Sequence, residues 1–166
     1  MPITYEPIAT TTLGSAASSV TFSSISATYT DLVLIANMAQ TSGTDDFSIR
    51  FNGDTGNNYS RTVLHGSGSA AGSNRSSNAA QISISYYGYP PSAASTFGAE
   101  IIHILNYSNT TTYKTVLARA NSASTGTDAT VGLWRNTAAI NEVIIRMNAG
   151  TIATGSTITL FGIKAA

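Results

Sequence analysis

The sequence predicts an all-β protein, an antiparallel β-sandwich of the jelly-roll type with about eight to ten strands. Short segments that alternate apolar and polar residues recur along the chain, and clusters of Gly, Ser, Thr, Asn and Asp separate them. Helical spacing of apolar residues occurs only across 138–147, where the valine and isoleucines favour a strand instead. No linker divides the chain, so residues 1–166 are predicted to form one domain.

The prediction is strongest between Asp31 and Tyr59. Leu32–Met38 is an apolar run typical of a buried strand, and Phe47–Phe51 alternates strictly, which gives one apolar and one polar face. The NGDTGNN segment that follows is rich in residues whose side chains bond nearby backbone amides, so it is predicted to be a turn. These two strands are expected to supply the central packing of the sandwich.

The remaining chain is predicted to alternate between strands and loops. Strands are predicted at Tyr5–Leu13, Val20–Ile25, Arg61–Leu64, Gln81–Tyr87, Ala99–Tyr107, Lys114–Ala120, Thr130–Arg135, Glu142–Met147 and Ser156–Ile163. The Gly- and Ser-rich segments His65–Asn78 and Asn121–Thr127 are predicted to be mobile loops.

Composition argues against several classes of function. Apolar residues make up 42% of the chain and charged residues only 10%, against about 25% in ordinary soluble domains. Eight basic and eight acidic residues cancel without clustering, so neither a nucleic-acid nor a membrane-surface partner is expected. The chain has no cysteine, and its first residues lack the pattern of a signal peptide. We therefore expect a fold made in the cytoplasm of the producing cell.

No motif in the sequence indicates catalysis, a metal or a cofactor. His65 and His103 lack the further ligands that a zinc site needs, and the few carboxylates are scattered. NGDTGNN lacks the downstream glutamate of a helix-loop-helix calcium loop, and GSGSAAG lacks the lysine and helix of a phosphate-binding loop. The prediction is a protein that is not an enzyme and that holds no metal or cofactor.

Aromatic residues are the remaining candidates for a ligand or interface site, namely Tyr86, Tyr87, Tyr89 and Trp134. Exposed aromatic rings on a β-sandwich could stack on a sugar, but such rings more often pack in a core or at a subunit interface. Alternation along a strand would place Tyr86 and Tyr87 on opposite faces. Both interpretations remain open from the sequence.

Four segments resemble small all-β virion proteins of tailed bacteriophages, especially cyanophages. They are ITYEPIATTTLGSAASSVTFSSI near the start, TYTDLVLIANM, FSIRFNGDTGNNYS and the closing STITLFGIKAA. The resemblance implies a jelly roll that assembles as a homotrimer inside the host cytoplasm and becomes part of the virion.

Two roles follow from the resemblance. The first is a capsid decoration (cement) protein that contacts the major capsid protein and stabilises the head by burying additional surface. The second is a tail-fibre or adhesin module that binds host-surface carbohydrate, which would suit the two predicted mobile loops. A compact domain that begins its first strand so close to Met1 favours the decoration role. Outside the resemblance, a stand-alone carbohydrate-binding module is a third hypothesis.

Overall fold

A computed structural model describes residues 4–42, 45–86, 96–123 and 125–164. These residues form two antiparallel sheets that pack face to face as a sandwich of the jelly-roll type. Eight strands form the larger sheet, in the spatial order β1 (Tyr5–Thr12), β12 (Thr157–Ile163), β3 (Asp31–Met38), β8 (Gly98–Leu105), β9 (Lys114–Ser122), β10 (Gly126–Trp134), β5 (Tyr59–Gly66) and β6 (Ala71–Ala79). Four strands form the smaller sheet, in the order β2 (Ser19–Phe22), β11 (Val143–Met147), β4 (Phe47–Phe51) and β7 (Ile82–Ser83). Within the described ranges, no helix is long and apolar enough to span a membrane.

The core lies between the sheets and is built mainly from alternate residues of the strands inside each sheet, whereas the edge strands β1 and β6 have no fully buried side chain. On β4, Phe47, Ile49 and Phe51 are fully buried, and on β3 Leu32 and Leu34 are buried opposite them in the same cluster. Burying side chains of this size contributes about 1.5–3 kcal/mol each. The two strands of the central stretch therefore pack in opposite sheets, facing each other across the core.

The prediction of an antiparallel sandwich is confirmed, and the bounds of Phe47–Phe51 are those predicted. The described residues contain twelve strands rather than eight to ten. The predicted strand Gln81–Tyr87 is wrong over most of its described part, because only Ile82–Ser83 pairs with a neighbour and the chain then turns at Tyr86. Tyr87 lies outside the described residues.

The predicted mobile loop His65–Asn78 is also wrong. Most of it is strand β6, which pairs along β5 in a hairpin, with Val63 opposite Asn74 and His65 opposite Gly72. Ser67 and Ala70 close the hairpin turn with a 2.9 Å backbone hydrogen bond, and Gly68 has a φ of +86° there. The second predicted loop is likewise shorter, since β9 runs to Ser122 and β10 begins at Gly126.

One glycine is required for the packing of a strand against an aromatic ring. A Cβ atom added at Gly162 on β12 would lie 2.3 Å from the Tyr29 ring. Tyr29 packs against the core from the loop that precedes β3. The absent side chain at position 162 therefore makes room for this ring at the margin of the sandwich.

Candidate functional site

The outer face of the eight-stranded sheet is the most unusual surface of the protein. Its side chains belong to the residues that alternate with the core residues, so cross-strand pairing sets them in rows. One row runs Phe161, Val33, His103, Leu117, Val131 and Thr62 across six strands. The next row runs Thr159, Ile35, Ile101, Arg119, Ala129 and Leu64. We call this surface the outer face.

The outer face is apolar where an ordinary water-facing sheet would be polar. Leu64 is 61% exposed, Val131 53%, Ile35 43% and Leu117 42%. An antiparallel sheet with one face on the core usually presents polar residues on the other. Contiguous exposed apolar residues of this kind mark sites of interaction.

A groove crosses the outer face between β8, β9, β10 and β5. It has a volume of about 490 Å³ and is lined chiefly by Leu64, Leu117, Ala129 and Val131. His103 and Arg119 also line it. His103 thus lies on the outer face and not in the core between the sheets.

Few charges interrupt this surface. Lys164 and Glu6, 2.5 Å apart at the β1 margin, form the one ion pair found among the described residues. Arg119 has no carboxylate partner in those ranges. A single cation in a largely apolar groove favours a partner that brings apolar surface and a carboxylate.

Trp134, one of the four candidate aromatics for a ligand or interface site, lies in the core. It is fully buried on β10, its ring stacks on Tyr59 with centroids 6.2 Å apart, and it also contacts Phe51. Its indole Nε1–H donates a 2.7 Å hydrogen bond to Asp54 Oδ2. The ring is therefore not available to stack on a ligand at the surface.

Hydrogen bonds to the Asp54 carboxylate also explain why the NGDTGNN segment forms a turn. Asp54 also accepts hydrogen bonds from the Gly56 backbone N–H and the Asn58 side chain, at 2.8 and 2.9 Å. Partial burial by itself raises the pKa of Asp54, but the hydrogen bonds from Trp134, Asn58 and Gly56 outweigh it and hold the pKa below its usual value. The carboxylate is occupied in fixing the turn to the core.

Tyr86 lies at one end of the sandwich and is 36% exposed. Its ring stacks on His65 with centroids 4.5 Å apart, and its backbone N–H donates to the carboxylate of Asp128. Tyr89 and Tyr87, the other two predicted aromatics, lie outside the described residues. Of the four candidate aromatics, the structure describes Tyr86 and Trp134. It does not bring these two together, because Tyr86 is at the surface and Trp134 is in the core.

The sandwich interior at this end contains a buried acid. Glu100 points inward from β8, between Ala36 on β3 and Ala120 on β9, and is fully buried. Neither of its carboxyl oxygens has a hydrogen-bond partner in the described parts of the chain. Burial raises the pKa of the Glu100 carboxyl well above its usual range, because no partner compensates the cost of removing the charged form from water.

A polar groove of about 440 Å³ lies outside the same end. It is lined by main chain and by hydroxyl and amide side chains of the β5–β6 and β9–β10 turns, including Ser67, Asn121, Ser122 and Thr127. Among the residues that the structure describes, no three His, Asp or Glu side chains lie close enough to hold a metal ion. This second groove combines hydroxyl and amide groups with glycine and other apolar surface, whereas the groove of the outer face is almost wholly apolar.

No protein-family model matches the sequence, and no curated protein matches it either. Among solved structures, the chain is similar to the crystal structure of Caenorhabditis elegans galectin LEC-6, with 10% sequence identity and a TM-score of 0.36. The similarity covers 91% of this chain and 94% of the galectin chain.

The outer face was not predicted from the sequence, although a signal for it exists. The predicted strand Ala99–Tyr107 is apolar at most of its alternating and intervening positions alike, which is typical of a central strand. In a two-layer sandwich only one face of a strand meets the core. Apolar residues on both faces of several neighbouring strands therefore indicate a second surface that needs a cover.

Proposed function

We propose that this protein is a structural protein of a tailed-bacteriophage virion, without catalytic activity, and that it decorates the capsid as a homotrimer. The observation that carries the proposal is the outer face, on which Leu64, Leu117, Val131 and Ile35 are exposed together. Such a surface is suited to burial against other protein. The resemblance of the sequence to phage virion proteins points to the virion as the assembly in which this surface would be buried.

The mechanism is the addition of contact area to the capsid. Each protomer is a sandwich held by long antiparallel ladders, so contacts that its outer face makes with one capsid subunit are transmitted through the sheet to the neighbouring subunit. Burial of apolar surface contributes about 25 cal/mol per Å², reduced by the entropic cost of association. A trimer that contacts several copies of the major capsid protein would resist the pressure of packaged DNA.

An averaged image of intact particles tests the location. The proposal expects density of this size at capsid symmetry positions, most simply at three-fold axes. Particles stripped of the protein should release DNA at a lower temperature than complete particles, and adding it back should restore the release temperature. Absence of the protein from purified particles would exclude a virion role, and unchanged DNA release would exclude stabilisation.

A second candidate is a tail-fibre or adhesin module that binds host-surface carbohydrate. The polar groove at the strand turns favours it, because Asn121, Ser67 and Thr127 present hydroxyl and amide groups there and Tyr86 is exposed at the same end. Density at the tail rather than the capsid would support this role. Binding of host polysaccharide should then fall in the variants Asn121→Ala and Tyr86→Ala and persist in Val131→Lys, which alters only the outer face.

A further inference from the structure

We propose that two arginines on the outward surface of the smaller sheet form a binding site for a phosphate group, either the free ion or the phosphate of a monoester. They are Arg50 on β4 and Arg146 on β11, which we call the arginine pair. The inference goes beyond the proposed function and does not depend on it, because the site belongs to the other sheet from the outer face.

Strand pairing brings the two arginines together. Alternation along each strand turns both side chains away from the core, because the neighbouring residues Ile49 and Ile145 are fully buried between the sheets. Strands β4 and β11 pair antiparallel, and Ser48 stands opposite Arg146, two residues before Arg50. The arginines are therefore diagonal neighbours, with Cβ atoms about 7 Å apart in a sheet of this kind.

Hydrogen bonds hold both guanidinium groups toward one short segment that precedes β7. The Nε–H of Arg50 donates a 3.1 Å hydrogen bond to the backbone oxygen of Ala80, and Nη1 of Arg146 donates a 2.8 Å hydrogen bond to Oε1 of Gln81. The Gln81 amide donates in turn to Asn148 Oδ1, which fixes its oxygen toward Arg146. Within the described ranges, the other N–H groups of the pair make no hydrogen bond, so they remain available to a ligand.

The arginine pair holds two like charges close together without a neutralising partner. Burial lowers the pKa of Arg50, and the positive charge of Arg146 lowers it further. Among the residues that the structure describes, the one ion pair joins Lys164 to Glu6 at a margin of the larger sheet. Like charges on neighbouring strands destabilise a sheet, so an anion bound between the two groups would remove an unfavourable interaction.

Two carboxylates lie along the same pair of strands, one beyond each end of the site. Glu142 precedes β11, and its Oε1 lies beside Gly53, 3.7 Å from where a Cβ atom would stand there. Asp45 precedes β4 and accepts a hydrogen bond from the backbone N–H of Ala149. Neither forms an ion pair with an arginine. The charge of the pair is therefore left for an anion that comes from outside the described chain.

The number and geometry of the charges favour phosphate. A guanidinium group is a planar fork of donors that matches the oxygens of phosphate or carboxylate. A phosphate monoester carries a charge of about −1.5 to −2 at pH 7, which balances two arginines, whereas a carboxylate would leave one of them unbalanced. The exposed hydroxyl residue Ser19 stands opposite Arg146 on β2 and borders the site.

Calorimetry and thermal unfolding of the full chain test the site, with sodium phosphate up to about 10 mM at pH 8 and the ionic strength held constant with NaCl. The wild type should bind with a dissociation constant of about 1 mM or below, and its melting temperature should rise with phosphate. Arg50→Gln and Arg146→Gln should each weaken binding by about tenfold or more. Arg146→Lys, which keeps the charge and loses the fork, replaces a glutamine variant that fails to fold.

The matched control is Arg119→Gln. Arg119 is a single exposed arginine on the larger sheet, so this variant has the same net charge as the other two and should bind phosphate like the wild type. The comparison separates a site at the arginine pair from a general attraction of phosphate to a positively charged protein.

Methyl phosphate and dimethyl phosphate identify the form of the ligand. Methyl phosphate that binds as tightly as inorganic phosphate would assign the site to a phosphate carried on a larger molecule, and binding of inorganic phosphate alone would assign it to the free ion. Dimethyl phosphate has a single charge and should bind about tenfold more weakly, or less. The inference is overturned if phosphate has no effect beyond that of NaCl, if the arginine-pair variants respond like the control, or if dimethyl phosphate binds as well as inorganic phosphate.

Discussion

Trp134 and Asp54 show how single residues connect the turn chemistry to the core. The indole is buried among aromatic rings and donates its hydrogen bond to a carboxylate that also orders the NGDTGNN turn. A hydrogen bond to a charged group contributes about 1.5–3 kcal/mol. One side chain thus ties together the core and the turn that follows β4.

Replacing Trp134 with phenylalanine should lower the free energy of unfolding by about 2–4 kcal/mol, since it removes this hydrogen bond and part of the buried ring. The substitution should also make the free energy of unfolding fall less steeply as the pH is lowered. The pKa of Asp54 is lowered in the fold, so its stabilisation is present above the unfolded pKa and lost as pH falls through the folded one. Urea unfolding at pH 7 and pH 3 measures both effects. Equal losses at the two pH values would contradict the coupling.

Glu100 should make the protein less stable as pH rises. Its folded pKa is raised, so the favourable contribution of the protonated group is complete below the unfolded value of 4.5 and is lost as pH rises toward the folded pKa. The isosteric variant Glu100→Gln should therefore be more stable than the wild type at pH 8 and should show a flatter dependence on pH.

Chemical denaturation between pH 4 and pH 9 tests this effect. The matched control is Glu142→Gln, which removes a partly exposed carboxyl on the loop before β11. The control should leave the slope of stability against pH unchanged. If Glu100→Gln and Glu142→Gln behave alike, burial of Glu100 is not the source of the pH dependence.

At the scale of the strand, the sequence predicts the strands that bury one face in the core. It does not predict a strand that buries neither face. Phe47–Phe51 has buried phenylalanines and isoleucine on one side, so its period-two pattern is clear. Strand β6 is held by its backbone pairing to β5, and its side chains lie exposed or half-buried on both sides. Without a buried face it has no apolar periodicity, and its Gly, Ser and Asn residues are typical of a loop.

The candidate site was predicted poorly for a related reason. The sequence offers aromatic residues only as separate candidates, and one of them, Trp134, is in the core. The outer face depends instead on register, which aligns Val33 with His103 and Ile35 with Ile101 across strands distant in sequence. Pairing of this kind cannot be read from local pattern alone.

At the same scale, Gly162→Ala should weaken the packing of β12 against Tyr29. The added methyl group would lie within 2.3 Å of the ring, so the ring or the strand must shift, at a cost of about 1–3 kcal/mol. Gly14→Ala is the control, because nothing lies within 4 Å of a Cβ atom there. Thermal unfolding of the two variants should differ, and equal melting temperatures would show that Tyr29 moves aside freely.

For the whole molecule, the low charge determines how it can associate. Eight basic and eight acidic residues cancel, and the outer face carries mainly aliphatic side chains. Association through this surface depends on apolar burial, which salt does not screen, rather than on long-range attraction, which salt does screen. A decoration protein with this surface should stay bound under ionic conditions that remove an electrostatically held one.

Binding to particles stripped of this protein should therefore be nearly independent of salt. Between about 0.05 and 0.5 M NaCl we expect the bound fraction in a co-sedimentation assay to stay constant or rise. Over this range the Debye length falls from about 14 Å to about 4 Å, which weakens attraction between charges and leaves apolar contacts unchanged. Val131→Lys should bind more weakly at both concentrations, and Tyr113→Ser should bind like the wild type. A loss of binding of about tenfold or more for the wild type at high salt would mean that charges, and not the outer face, hold the protein to the particle.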